Sequence, residues 1–307
     1  MRLIIFLCAS IACQNVFAQA TPSVKSSPAS KTNSAAAELF ADENLTAWLV
    51  IFTDAKKRTP EQRAKMVADL GFKKVGFEAF EKYVPILDEQ MEENEKHGLE
   101  TTSVYFVMKT ETPSEEPHVK AIFDVLKKRK ATPEIWAMFP RGAFNDAPQE
   151  QRVEKMIVAF SELAEHCKAA GCKLALYNYG SWFGAVDVQL AIIDGVKERT
   201  GIKIGTVLNF HRGHQHMPDF PEALQKMLPH LVMVNLNGMN QKDAGKTGGG
   251  AKILPLGDGD AELTMMRQLA ESGYRGPIGI IDHQSGVDAE VQLKANLKGL
   301  EELRKKL

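Results

Sequence analysis

The chain has 307 residues, enough for one large domain or two small ones, and its 44% hydrophobic and 25% charged residues are ordinary globular values; that balance excludes a disordered, collagen-like or multi-spanning membrane protein. The 38 Lys and Arg against 39 Asp and Glu leave a formal charge of -1. No global field exists to hold a nucleic-acid backbone or an anionic membrane, so any binding site is local.

Residues 1–18 read as a secretory signal peptide: Arg2 precedes an apolar run over residues 3–13, and small residues offer cleavage after Ala18 or Ala20. The run is shorter than the roughly 20 apolar residues that a spanning helix needs. A lipoprotein signal acylated at Cys13 is the alternative, because small residues precede that cysteine. Residues 19–42 are rich in Ser, Ala, Thr, Pro and Lys without periodicity, which predicts a disordered linker. The folded domain then runs over residues 43–307.

Strands and helices alternate eight times along that domain. The first strand is predicted over 47–52, and its helix starts at Thr59 with Pro60 at the first position and Gln62 placed to close a capping box. Strand two covers 73–77, followed by a helix with Val84, Leu87 and Met91 on one face. Strand three, over 101–107, is β-branched and aromatic, and its helix carries Val119, Ile122, Phe123 and Leu126. Strand four covers 134–139; the helix after it, with Met156, Phe160, Leu163 and Cys167 on one stripe, ends at Gly171. Strands five to eight fall at 173–177, 203–208, 231–236 and 277–281, with helices near 188–197, 221–228, 260–271 and 288–305. Buried, non-alternating strands each followed by a helix predict a parallel sheet covered by helices, and eight units in roughly 260 residues match a single-domain (β/α)8 TIM barrel. The runner-up, a doubly wound open sheet, lacks a glycine-rich fingerprint after its first strand. Cys167 and Cys172 flank the end of the fourth helix as two half-buried thiols or, in an oxidising compartment, a bridge.

In such a barrel the chemistry sits where the C-terminal strand ends converge. Strand two ends at Glu78, strand five at Tyr177, Asn178 and Trp182, strand six at Asn209, His211, His214 and His216, strand seven at Asn235 and Asn237, and strand eight at Asp282 and His283. Thr53, Asp54, Lys109 and Arg141, at other strand ends, are less distinctive. Four of the eight histidines lie at two of these ends, in a His-x-x-His-x-His spacing that suits a transition metal or, more plainly, substrate hydroxyls. The amides of Asn178, Asn209, Asn235 and Asn237 both donate and accept, which suits sugar hydroxyls. Trp182, Phe183 and Phe210 could stack on a sugar ring or simply pack in the core. A glycine-rich stretch over 242–252 reads as a lid, with Lys252 aimed at the pocket.

Together, the segments around Tyr177 to Gly184, Asn209 to His214, Val234 to Met239, Leu254 to Gly259 and Gly279 to His283 resemble the xylose-isomerase-like TIM-barrel family, in a secreted bacterial branch. The resemblance implies sugar isomerase or epimerase chemistry, in which an acid/base pair moves a proton beside a sugar carbonyl. It also implies a divalent zinc, manganese or magnesium ion, with His211 and Asp282 as ligands. Asn178 and Asn209 stand near positions where that family often carries Glu and Asp, so the carboxylate set is depleted here. His211, Asp282 and Glu78 are the expected catalytic residues; Tyr177, Asn178, Trp182, Asn209, His214, Asn235, Asn237, Lys252 and His283 are the expected substrate-binding residues. The expected substrate is a small unphosphorylated sugar or keto-sugar, with no nucleic-acid partner and no membrane span. A keto-glycoside lyase or hydratase, a carbohydrate-binding barrel without turnover and a nuclease of the same superfamily are the competing readings. The mature chain is expected to be secreted or periplasmic and to begin near Gln19 or Thr21. Mass spectrometry of protein from its native cell checks this, since an intact Met1 would remove the signal peptide and a lipid on Cys13 would establish the anchored form.

Overall fold

Each apolar run read as a buried strand forms one, and each strand is followed by a helix whose apolar stripe returns to the sheet. The computed structural model describes residues 28–247, 253–281, 283–284 and 286–307. Its strands are β1 (Leu45–Trp48), β2 (Lys74–Glu78), β3 (Glu100–Val107), β4 (Glu134–Met138), β5 (Leu174–Tyr177), β6 (Gly205–Asn209), β7 (Leu231–Leu236) and β8 (Ile278–Ile281). They pair in parallel in chain order and close into one barrel, β1 joining β8 with Leu45 opposite Ile278 and Trp48 opposite Ile281. The fold is a single-domain (β/α)8 TIM barrel. Helices α1 (Pro28–Leu39), α2 (Val50–Thr53), α3 (Pro60–Asp69), α4 (Leu87–Lys96), α5 (Pro117–Arg129), α6 (Gln149–Ala169), α7 (Val186–Thr200), α8 (Phe220–Met227), α9 (Glu262–Glu271) and α10 (Ala289–Arg304) accompany it. No helix among the described residues is long and apolar enough to cross a membrane.

The start of α3 follows the sequence signal: Gln62 N–H donates to Thr59 Oγ1 at 3.3 Å, and Thr59 N–H donates back to Gln62 Oε1 at 3.1 Å. The stripe on α6 likewise buries Met156, Phe160, Leu163 and Cys167.

Two expectations differ from the structure. The signal segment and the first part of the expected linker lie outside the described residues, but Pro28–Leu39 is helix rather than linker, and Ala36, Leu39 and Phe40 are buried against α9 and its neighbours. Three apolar residues at helical spacing were too few to stand out in a Ser- and Ala-rich stretch. Strand β1 begins and ends earlier than the 47–52 run, because Leu49 takes a left-handed φ of 57° that terminates the strand and starts the single turn α2. Of the two readings of Cys167 and Cys172, the free thiols hold: both are buried, with Cys172 N–H donating to the Cys167 carbonyl at 2.9 Å to close the end of α6.

The barrel interior is packed with rings. Trp48 meets Trp136, Tyr105 and Tyr177 at centroid distances of 4.7, 5.9 and 6.0 Å, and Tyr105 lies 4.3 Å from Tyr177. These residues come from β1, β3, β4 and β5, so their rings can meet only inside the barrel. Trp48 Nε1–H donates to Tyr177 Oη at 3.2 Å, which satisfies the one polar atom of the indole. Gly76 on β2 makes room for it, since a Cβ there would lie 2.2 Å from Trp48 Cε3. Gly76→Ala is therefore expected to destabilise the fold by about 1–3 kcal/mol through overpacking. Urea unfolding at unchanged m-value checks it.

Candidate functional site

The C-terminal mouth is built on the aromatic floor of the barrel. Glu78, the last residue of β2, is fully buried; its Oε2 accepts from Ile51 N–H of α2 at 3.3 Å, and its Oε1 has no partner among the described residues. Burial pushes the carboxyl up to about 7, despite a backbone hydrogen bond and the Arg63 charge that act the other way. At neutral pH this group is poised between its two forms.

A chain of amides crosses the ends of β7, β6 and β5. Asn235 Nδ2 donates to Asn209 Oδ1 at 2.6 Å, and Asn209 Nδ2 donates to Asn178 Oδ1 at 2.7 Å, which also accepts Asn209 N–H at 2.8 Å. All three are buried. Asn209 is thus bonded through both ends of its side chain to its two neighbours in the wall of the mouth. Among the described residues Asn235 Oδ1 has no partner; it lies against Gly279 of β8, where a Cβ would approach to 1.6 Å. Asn237 Nδ2 donates to the Gly238 carbonyl at 2.8 Å, and its Oδ1 has no partner among the described residues.

The histidines diverge. His211, in the 3-10 turn Phe210–Arg212 after β6, is buried and meets the His283 ring edge-on at 4.8 Å, with its Nδ1 unpartnered among the described residues. Burial holds His211 well below its usual range, and it lowers His283 to about 4, so both imidazoles are neutral at pH 7. His214 Nδ1 lies 3.3 Å from the His211 carbonyl, whereas His216 Nε2 turns to the Gly184 carbonyl at 3.1 Å. Among the described residues no three His, Cys, Asp or Glu side chains converge on one point. With Asn178 Oδ1 already taken by two N–H groups, the described donors do not fit a divalent cation. Asp282 and Lys252, expected in catalysis or metal binding and in substrate binding, lie outside the described residues.

Tyr177, expected to bind substrate, lies in the floor, and beside it the structure brings in residues that strand-end reading did not single out. Tyr105 and Tyr177 form the floor, and Tyr179 sits at the rim with the Arg212 guanidinium 4.4 Å and that of Arg141 5.6 Å from its ring centre. Tyr105 lies within a strand, and Arg212 was hidden inside the histidine motif. Trp182 is half-buried under Arg152, 4.5 Å from its ring centre. Phe210 points outward against Phe220, and Phe183 stacks on Phe160, so neither is a sugar platform. A cavity of about 750 Å³ opens at the opposite end, where Thr46, Lys74, Glu100, Glu134 and Lys173 mark the strand starts. In this fold chemistry is built at the other face.

The raised Glu78 carboxyl has a sign that can be measured. Below about pH 4.5 it is protonated in both folded and unfolded chains. Between there and about pH 7 only the unfolded chain ionises, so stability falls as pH rises and the loss is complete above 7. Glu78→Gln removes this loss. Its stability relative to the parent, from urea midpoints at pH 5 and 7.5, is expected to be greater at the higher pH; a pH-independent offset would contradict the assignment.

No protein of curated function matches this sequence. Among solved structures, the fold is similar to the probable 3-DHS dehydratase AsbF of Bacillus anthracis, involved in petrobactin synthesis, with TM-score 0.62 and 13% identity over 84% of this chain and 98% of that one. It is similar to the 3-keto-D-glucoside 4-epimerase YcjR of E. coli, with TM-score 0.60 and 12% identity over 85% of this chain and 99% of that one. A barrel from Mycobacterium smegmatis, solved in complex with magnesium, gives TM-score 0.58 and 18% identity over 87% of this chain and 98% of that one. The family model described as xylose isomerase-like TIM barrel matches residues 65–303. The chain belongs to the xylose isomerase-like TIM barrel family.

Proposed function

We propose that the protein is an exported sugar isomerase or epimerase-like enzyme that moves a proton beside the carbonyl of an unphosphorylated sugar or keto-sugar. The observation that carries this reading is Glu78, a buried carboxyl at the mouth with one free oxygen and a pKa near 7. β2 and β6 stand on opposite sides of the eight-stranded wall, so Glu78 and the turn bearing His211 flank the mouth. In its ionised form Glu78 takes the proton from the carbon next to the carbonyl. His211, neutral, offers an N–H to the carbonyl oxygen as negative charge develops there. Protonated Glu78 then returns the proton to the former carbonyl carbon, while His211 passes its N–H proton to the former carbonyl oxygen and takes one back from the neighbouring hydroxyl, giving isomerisation. Return to the opposite face of the carbon it left, giving epimerisation, needs a second acid, and Asp282 is assigned that part from its sequence position. Loss of a β-substituent from the same carbanion would make the enzyme a lyase.

Solved neighbours include one that holds magnesium, and a divalent ion at this mouth would stabilise the developing oxyanion. The described donors do not complete such a site, so the proton steps above rest on this chain's own side chains. The depleted carboxylates favour one other reading, a carbohydrate-binding barrel without turnover.

The test is deuterium incorporation from heavy water beside the carbonyl, followed by NMR over a panel of aldoses, ketoses and 3-keto-glycosides. Exchange is expected to persist with a chelator, to rise with pH through about 7 as Glu78 ionises, and to fall about 100-fold or more in Glu78→Gln. His211→Ala is expected to lower kcat more than it raises KM. Sugar binding without exchange or turnover across the panel would replace the enzyme with the binding barrel.

A further inference from the structure

Arg212 stands at the mouth, over the Tyr179 ring. It follows His211 in the turn after β6, and its positive charge acts on Tyr105 of β3, Tyr177 of β5, His211 and His214 after β6, and His283 after β8. Those residues come from four different strands, so its charge is felt across the mouth. Its carbon lies 4.4 Å from the Tyr179 ring centre, and Arg141, at the end of β4, sits 5.6 Å from the same ring.

Neither arginine has a carboxylate partner among the described residues. Arg58 is paired with Asp54, Asp288 and Glu290, and Arg129 with Asp88, Glu92 and Glu95, whereas buried Arg63 is held by the Gln90 side chain and the Arg58 carbonyl and half-buried Arg152 by Asn145. Arg212 Nε is buried with no acceptor among the described residues. The imidazoles of His211 and His283, held neutral by burial, and the phenols of Tyr105 and Tyr177 feel its charge, and none of them can balance it. A tyrosine ring holds a guanidinium by its charge and its flat shape, and it leaves the N–H donors free.

We infer that Arg212, assisted by Arg141 at the same tyrosine ring, is the docking point for a carboxylate carried by the substrate, so that the barrel handles a sugar acid. This deepens the proposed function and rests on it. A carboxylate matches the planar fork of one guanidinium with two parallel hydrogen bonds, and the second cation supplies longer-range attraction.

Calorimetric titration of the purified protein with D-glucuronate, D-galacturonate and D-gluconate against D-glucose, D-galactose and D-glucitol tests the inference, with D-glucose 6-phosphate as the phosphate arm. At least one acid is expected to bind about tenfold or more tightly than its neutral parent, with a preference that shrinks as salt rises. Arg212→Gln is expected to erase the difference, and Arg212→Lys, which keeps the charge and loses the fork, to retain part of it. Thermal unfolding of each variant shows whether it folds; if Arg212→Gln does not, the Lys variant and the salt dependence of the parent carry the test. Neutral sugars bound as tightly as their acids would overturn the carboxylate site and leave the sugar reading standing. The phosphate ester binding tightest would overturn the carboxylate in favour of a phosphate, and binding of none of the probes would overturn both the site and the sugar reading.

Discussion

A closed barrel of eight strands encloses a space that side chains must fill, and here one indole does most of it. Trp48 lies among Trp136, Tyr105 and Tyr177, its single polar atom bonded to the Tyr177 hydroxyl. Gly76 gives up its own side chain to admit it. The ring cluster is the floor on which the C-terminal mouth stands, and its dryness reaches the chemistry. Glu78 is fully buried beside β1, and its carboxyl rises toward neutrality because burial outweighs the opposing charge of Arg63. The packing of the interior and the titration of the acid/base candidate are one fact seen at two levels.

The architecture was legible because the signal for each strand is local. A buried parallel strand is an apolar run, and a capping box or terminal glycine marks the helix that follows. Thr59 with Gln62 is such a case, and their reciprocal hydrogen bonds form as the spacing predicts. The strand that was misread fails for a physical reason: apolar residues continue past Trp48, but Leu49 turns left-handed and the run becomes a helical turn. Hydrophobicity alone cannot report a change of backbone hand.

The mouth was legible as a place and less so as chemistry. Glu78, Asn178, Asn209, His211, Asn235, Asn237 and His283 are polar residues that follow apolar strands. Sequence gives no sign that Asn235, Asn209 and Asn178 would bond to one another, because each pairing depends on strand register. It also hides Arg212, whose meaning comes from what it lacks among the described residues. The side chains at the ends of β5 and β6, Asn178 and Asn209, are neutral amides and bring no negative charge to the mouth. The same amides that weaken the case for a cation at the mouth leave it open to an anion.

The closure of the sheet has a consequence for how the chain assembles. The first strand pairs with the last, and the Asn44 side chain donates to the Gly276 carbonyl at 3.0 Å from a position 232 residues away in the chain. Loop entropy has to be overcome before such a contact stabilises anything, so ring closure belongs at the end of folding. Until Ile278–Ile281 arrives, β1 presents an unpaired edge and Trp48 has an incomplete enclosure. For a polypeptide made N-terminus first, this arrangement delays the finished barrel until nearly all of the chain has emerged. The open edge is then the interval in which the growing chain most needs protection from its neighbours.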